Sequence, residues 1–239
     1  MSEFLCNKGG CDVVPDKIGE DVLKQKPAIR KTPKAYRGEL LPPSVRRATV
    51  DFVKRLEKHK IRYMVVGAAP VQFYGRERFS RDVDVVLFLD KENASDLLLI
   101  LKHFNVKYPL PHEHTLDTPG DLLSWHLLRL EDVKYDALLD AHLKPEKLGL
   151  DEDSLARARI VSMNGKNIII PSPEDYIITK LISRRPSTHD FEDIMSTLIN
   201  QYNTIDWKYL EDKARKADIL FLLKYYKEAI EKKLGRKKE

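Results

Sequence analysis

The sequence predicts an α/β fold, in which a mixed sheet with flanking helices is followed by a helical C-terminal region. Between residues 45 and 171, helix-like stretches alternate with short apolar stretches of strand length, an order typical of a mixed α/β sheet. From Ser172 to the end of the chain, the apolar residues instead recur with helical spacing. Ser172 is the expected N-cap of the first of these helices, with Pro173 at its first position.

The 239 residues divide into three predicted parts. Residues 1–44 carry scattered lysines, several prolines between Pro15 and Pro43, and no sustained periodicity, so we expect a flexible N-terminal arm. Residues 45–171 form the predicted α/β domain. Residues 172–239 form the predicted helical region, and no internal repeat links the parts.

The first half of the α/β domain is predicted to begin with a helix near Pro43, for which Ser44 is the expected N-cap. Strands are predicted at residues 61–67 and 81–90, with a short helix or turn between them, and a helix at residues 91–104. The apolar face of the first helix is predicted to contain Val45, Val50, Phe52, Val53 and Leu56.

The second half of the domain is predicted to start with a loop at residues 107–122. Two strands follow, at residues 124–130 and 133–140, with a turn expected at Glu131–Asp132. Residues 158–173 form a predicted hairpin, because Asn164–Gly165 is a strong signal for a two-residue turn between strands.

Composition narrows the class of protein. The hydrophobic fraction is 42% and the charged fraction 33%, as in an ordinary globular protein that is somewhat charge-rich. No apolar run approaches the roughly 20 residues that span a bilayer, and the N-terminus lacks the pattern of a signal peptide. We therefore expect a cytoplasmic protein with no membrane partner. The net charge of +5 favours anionic partners such as a nucleotide, RNA or a membrane surface, but is weak evidence for nucleic acid by itself.

The two cysteines, Cys6 and Cys11, lie in the predicted arm. Their spacing is compatible with half of a metal site or with a redox pair. The sequence contains no further cysteine to complete a four-cysteine zinc site, so two thiols in a mobile tail is the simpler interpretation.

Asp82 and Asp84 are the most informative residues of the chain. They stand two residues apart at the start of an apolar strand, so period-two alternation places both carboxylates on one face, about 6 to 7 Å apart at the backbone. Paired carboxylates on a rigid strand are suited to binding Mg²⁺ or Mn²⁺ together with phosphate oxygens. The pattern therefore predicts a metal site for phosphoryl transfer.

The segment before this pair has features of a phosphate-binding turn. Gly67 ends the preceding strand and Ala68 opens the turn, so backbone N–H groups can approach a phosphate closely. Arg76, Arg78 and Arg81 lie between the turn and the acidic pair. We expect them to neutralise triphosphate charge.

Together these residues resemble the core motif of the nucleotidyltransferase (polymerase-beta-like) superfamily. In that family a strand ends in Gly-Gly, Gly-Ser or Gly-Ala, and the run Tyr-Gly-x-x-Arg-x-Thr-x-Asp-x-Asp follows. This chain has Gly67–Ala68 at the first place, and Ser80 replaces the threonine. The remaining positions of the run are Tyr74, Gly75, Arg78, Asp82 and Asp84.

The form of the motif is closest to the minimal and AbiEii-like branches of the superfamily. Those branches often carry a downstream helix with a lysine and a following acidic run, represented here by Lys180, Asp190 and Asp193. The resemblance implies that Lys180 contacts the nucleotide phosphates and that Asp190 orients Lys180 or the acceptor.

The resemblance also implies a third carboxylate on a later strand. Asp136 is the preferred candidate because it lies within an apolar run, and Asp140 is the alternative on the same face. The third carboxylate would bind metal or activate the attacking hydroxyl by base catalysis.

The predicted function is transfer of a nucleoside monophosphate from a nucleoside triphosphate to an acceptor hydroxyl of RNA, protein or a small molecule. Mg²⁺ or Mn²⁺ is the expected cofactor, and oligomers are compatible with the sequence. Two alternatives stay open at this point. One is a non-catalytic nucleotide-binding homologue, for example an antitoxin-like partner protein, and the other is an RNA-binding protein on the same fold.

Overall fold

The computed structural model describes residues 40–107, 116–182 and 187–235. Most of the predicted arm, including Cys6 and Cys11, lies outside these ranges. All described residues belong to one compact unit. No helix in the described ranges combines the length and the apolar character needed to cross a bilayer.

The first helix confirms the predicted apolar face. Helix α1 spans Pro43–Lys58, and the five predicted core residues are buried. Its N-cap is Pro42, not the predicted Ser44, because Pro43 occupies the first helical position, where a missing N–H has no cost. Thr49 inside the helix bonds back to the carbonyl of Val45 at 2.8 Å.

Helices and strands then alternate, but the strand at Asn105–Lys107 was not predicted and the helix at Pro119–Ser124 begins within the predicted loop. The elements up to the gap in the description are strand β1 (Arg62–Val66), helix α2 (Val71–Tyr74), strand β2 (Asp82–Phe88), helix α3 (Ala94–Leu101) and strand β3 (Asn105–Lys107). After the gap come helix α4 (Pro119–Ser124), strand β4 (Leu127–Asp132), strand β5 (Ala137–His142), a short 3-10 helix (Pro145–Leu148) and helix α5 (Glu152–Arg157).

Within the described residues, five strands form one mixed sheet in the order β1-β2-β5-β4-β3. Strand β2 pairs antiparallel with β1 and parallel with β5, and the remaining pairs are antiparallel. The register places Asp84 between Val66 of β1 and Asp140 of β5. The predicted α/β class with a mixed sheet is confirmed.

The turn between β4 and β5 corrects the sequence interpretation. The predicted turn at Glu131–Asp132 was wrong, because both residues belong to β4 and the turn spans residues 133–136. The buried carboxylate of Asp132, just before the turn, accepts a hydrogen bond from the N–H of Tyr135 at 3.2 Å and so stabilises the turn. Asp136 lies in this turn with a φ of 50°, outside β5.

The predicted hairpin is confirmed by strands β6 (Arg159–Met163) and β7 (Lys166–Ile170), which form a separate two-stranded sheet. Asn164 and Gly165 both have positive φ, as a tight hairpin turn requires. The chain then becomes helical, with α6 (Pro173–Leu181), α7 (Thr188–Gln201), α8 (Trp207–Lys216) and α9 (Leu220–Lys233).

A side-chain cap fixes the start of α6. The Ser172 hydroxyl accepts the N–H of Asp175 at the start of α6, as predicted. Asp175 is fully buried, and its carboxylate also accepts hydrogen bonds from Ser154 of α5 and Tyr209 of α8. One buried carboxylate thus joins three helices, with the ammonium of Lys213 at 3.6 Å.

Candidate active site

The acidic pair lies at the start of β2. Asp82 and Asp84 are partly exposed, whereas the intervening Val83 and the following Val85 are buried in the core. The Ser80 hydroxyl donates a hydrogen bond to Asp82 at 2.7 Å, and Nε2 of His142 lies 3.1 Å from Asp84 Oδ1. The strand therefore holds both carboxylates on its open face.

Gly67 packs directly against the second carboxylate. It has a φ of +66°, and a Cβ at this position would lie 1.9 Å from Asp84 Oδ2. Only a glycine satisfies both the backbone conformation and the close approach. The neighbouring Ala68 is buried, and α2 begins after Pro70.

An open cleft of about 190 Å³ lies between the sheet and the C-terminal helices. On the sheet side the described lining residues are Val66, Gly67, Asp84 and His142, with Leu148 beside them; on the helix side they are Thr179, Lys180 and Asp190. The cleft thus brings together four of the residues that the sequence singled out.

Lys180 faces Asp84 across this cleft and is held by two carboxylates. Its ammonium donates to Asp190 Oδ1 at 2.8 Å and lies 3.4 Å from Asp193 Oδ2. Burial raises the pKa of Asp190, but hydrogen bonds and charge from Lys180, together with hydrogen bonds from Ser187, outweigh that effect and leave the pKa below its ordinary value. Asp190 is therefore an ionised partner that fixes the lysine.

Among the described residues, those that line the cleft do not include Arg76 or Arg78. Both guanidinium groups bind Asp193 of α7, whose side chain is fully buried. The hydroxyl of Tyr176 donates to the same carboxylate at 3.3 Å, and burial with the charge of Asp193 raises the pKa of Tyr176 well above its ordinary value. Our expectation that Arg78 lies against the triphosphate therefore does not match its position.

Of the two candidates for a third carboxylate, Asp140 lies level with the acidic pair and Asp136 does not. Asp140 stands in register with Asp84, whereas Asp136 is in the turn before β5. The preference for Asp136 followed from the misplaced turn, since a shift of the strand start changes which residues lie level with β2.

Sequence reasoning also missed Arg129. Its guanidinium donates two hydrogen bonds to Asp140, from Nε at 2.9 Å and from Nη2 at 2.8 Å. The alternation of β4 could have indicated Arg129, because Leu128 and Leu130 on either side are fully buried. Without the strand register, however, no sequence signal pairs it with Asp140.

Asp82 and Asp84 fit a divalent cation that is bound together with nucleotide phosphates. Mg²⁺ is usually held by one or two carboxylates, and water and phosphate oxygens fill its other positions. Within the described ranges, no group of three or more acidic, histidine or cysteine side chains is assembled for a metal ion. The protein thus offers a two-carboxylate site that substrate oxygens would complete.

One solved structure shares the fold at a TM-score above 0.5, and two others are more distant. A nucleotidyltransferase-like antigenic protein from Paracoccidioides brasiliensis is 17% identical, with a TM-score of 0.51 over 79% of this chain and 92% of that one. The lincomycin-bound lincosamide adenylyltransferase LnuA is 14% identical, with a TM-score of 0.42 over 63% of this chain and 94% of that one. ANT(2")-Ia in complex with adenylyl-2"-tobramycin is 13% identical, with a TM-score of 0.44 over 72% and 96%.

A search of curated protein sequences found no match. One family model, described as a nucleotidyltransferase of unknown function (DUF6036), matches residues 47–229. The match spans both the sheet and the C-terminal helices, so the motif on β2 and the helix with Lys180 belong to one family pattern. The chain is therefore a member of this nucleotidyltransferase family.

Proposed function

We propose that the protein is a metal-dependent enzyme that transfers a nucleoside monophosphate from a nucleoside triphosphate to an acceptor hydroxyl. One observation carries the proposal. Asp84 of the acidic pair on β2 and Lys180 on α6 line the two sides of one open cleft, and Asp190 holds Lys180 in place. Carboxylates on one wall and a held ammonium on the other suit a metal-bound triphosphate.

Each wall of the cleft has a separate task in this mechanism. A divalent ion, when bound, would supply Lewis-acid polarisation of the reacting phosphoryl group. Asp82 and Asp84 would hold it, while Gly67 allows the chain after β1 to pass close to Asp84. Lys180, fixed by Asp190, would bind phosphate oxygens and stabilise negative charge on the leaving pyrophosphate. The acceptor hydroxyl oxygen would attack the α-phosphorus and lose its proton to solvent, while the bond from the α-phosphorus to the oxygen that bridges to the β-phosphate breaks and pyrophosphate leaves.

Neither Asp136 nor Arg78 has a role in this proposal. Asp136 lies in the β4–β5 turn, and the guanidinium of Arg78 is bound to Asp193. The placement in the AbiEii-like branch, the cytoplasmic location and an RNA acceptor stay predictions. The boundary between the α/β domain and the helical region at residue 172 is likewise proposed.

The test is label transfer from each α-labelled nucleoside triphosphate with Mg²⁺ or Mn²⁺. Acceptors would be total RNA, the protein itself and a panel of small hydroxyl compounds. Asp84→Asn removes one carboxylate from the cleft, and Glu92→Gln removes one from an exposed position after β2 as the matched control. Label with wild type and Glu92→Gln, but not with Asp84→Asn, supports the proposal and identifies the acceptor class.

Nucleotide binding without label on any acceptor would instead favour a non-catalytic homologue. One observation gives that alternative its weight, since Arg129 engages both oxygens of the third carboxylate. If neither binding nor transfer occurs, the site assignment itself fails. RNA binding that falls steeply with salt and persists in Asp84→Asn would favour an RNA-binding protein.

A further inference from the structure

Arg129 and Asp140 form a bidentate pair beside the acidic centre. Asp140 stands between Asp84 on β2 and Arg129 on β4 in the strand register. Its side chain is 11% exposed, whereas that of Arg129 is 49% exposed. Two parallel N–H···O bonds between planar groups define both position and orientation, so the carboxylate has a fixed partner.

The guanidinium also lies in the electric field of the other two carboxylates. Its pKa is raised above the ordinary value, first by the hydrogen bonds and charge of Asp140, and further by the charges of Asp82 and Asp84. One fixed positive charge therefore faces three carboxylates. An arginine keeps this charge at all physiological pH values and does not exchange with solvent ions.

A second divalent ion would have to bind at the position beside Asp140 that the guanidinium of Arg129 occupies. In two-metal phosphoryl-transfer sites the ions lie roughly 3.5–4 Å apart. An ion that close to one held by Asp82 and Asp84 would take the neighbouring carboxylate as a ligand, and that carboxylate is Asp140. Both of its oxygens are engaged by Arg129, so a second ion would have to displace the guanidinium to reach them.

We infer that Arg129 takes the place of a second metal ion, so that the site binds a single divalent cation through Asp82 and Asp84. The half-exposed guanidinium then supplies the second positive charge at the transferred phosphoryl group. This inference rests on the proposed function, because it specifies the metal content of the same site.

The experiment is electron paramagnetic resonance of Mn²⁺ bound to the full chain with a non-hydrolysable nucleoside triphosphate analogue. Two Mn²⁺ ions about 4 Å apart are exchange-coupled and give a spectrum distinct from that of an isolated ion. We expect isolated-ion spectra for wild type and for Arg62→Ala. The latter removes a guanidinium from the same sheet, where it pairs with the exposed Glu152.

Removal of Arg129 should allow a second metal ion to bind at Asp140. We expect Arg129→Ala to give the coupled spectrum, with bound Mn²⁺ rising from about one to about two per chain. The double variant Arg129→Ala/Asp140→Asn should return to the isolated ion, because it lacks the carboxylate that would hold the second one. This double variant also leaves no unpaired buried charge, so it controls for misfolding of the single variant.

A coupled spectrum in wild type would overturn the inference. So would an isolated ion in a folded Arg129→Ala protein. Failure of the proposed function would give a different result. Mn²⁺ would then not bind together with the analogue, or its binding would be unchanged in Asp84→Asn.

Discussion

At the scale of single residues, Gly67 shows how closely the backbone and the acidic centre are fitted together. The left-handed φ and the contact with Asp84 are two separate demands on this position. Gly165 has a similar φ of +74°, but a Cβ there would have nothing within 4 Å. Substitutions at the two glycines therefore distinguish the effect of backbone strain, present at both, from the effect of contact with the Asp84 carboxylate, present only at Gly67.

We expect Gly165→Ala to lower the free energy of unfolding by about 1 kcal/mol, the strain of a left-handed alanine. Gly67→Ala should lower it by a further 1–3 kcal/mol or so, because the new methyl group overpacks against Asp84. Transfer activity should fall by about 100-fold in Gly67→Ala alone, as expected for a displacement near 1 Å. Urea unfolding and label transfer measure both effects. Equal losses in the two variants would contradict this account.

At the scale of secondary-structure elements, Asp193 connects α7 to the segment before β2. Its fully buried carboxylate binds Arg76, Arg78 and Tyr176. We expect Asp193→Asn to lower the free energy of unfolding by on the order of 3 kcal/mol, because the cations lose their partner. Glu192→Gln removes a half-exposed partner of Arg76 and should cost about 0–1 kcal/mol. Denaturant unfolding compares them, and similar losses would count against a central role for Asp193.

The start of α7 should give an acid-dependent contribution to stability. The pKa of Asp190 is lowered on folding, so its ionised form stabilises the native state above the unfolded pKa of about 3.9. That contribution is lost as pH falls through the lower, folded pKa. The difference in free energy of unfolding between wild type and Asp190→Asn should therefore shrink below about pH 4. A difference that stays constant from neutral to acid pH would contradict the prediction, and Asp153→Asn controls for loss of an exposed charge.

Elements with local signals could be predicted from the sequence, and contacts between distant elements could not. The α1 face, the β6–β7 hairpin and the Ser172 cap follow from periodicity and turn chemistry within a few residues. The Asp82–Asp84 pattern is equally local. The position of Asp140 relative to Asp84 depends on which residues form the β4–β5 turn, and the hydrogen bond between the buried Asp132 and Tyr135 fixes that turn. The Arg76 and Arg78 pairs span more than a hundred residues of sequence and leave no pattern.

At the scale of the whole molecule, the sheet and the C-terminal helices are expected to unfold together. They share the Asp193 ion pairs, the hydrogen bond from Ser154 to Asp175 and the bond from Asn200 to the carbonyl of Gly75. The two tryptophans report on the two parts, since Trp125 packs partly buried against the sheet core and Trp207 packs on Tyr202 in the helical region.

Fluorescence of Trp125→Phe and Trp207→Phe should therefore give coincident unfolding midpoints, as expected for a two-state transition. Each variant retains one reporter, and far-ultraviolet circular dichroism of both variants shows whether the substitution changed the stability itself. Separate midpoints that persist after this correction would indicate that residues 45–171 and 172–239 are independent domains.

The parallel pairing of β2 with β5 also determines the order in which the two edges of β2 can be paired during synthesis. Strands β1 and β2 are neighbours in sequence and can pair as soon as both have been synthesised. The other edge of β2 stays open until residues 137–142 emerge, because a parallel partner requires a long crossover. A ribosome that stalls before residue 137 therefore releases a chain with an exposed strand edge beside its aspartates. Such an edge favours pairing with other chains, so interrupted synthesis would yield aggregates in place of a shorter folded protein.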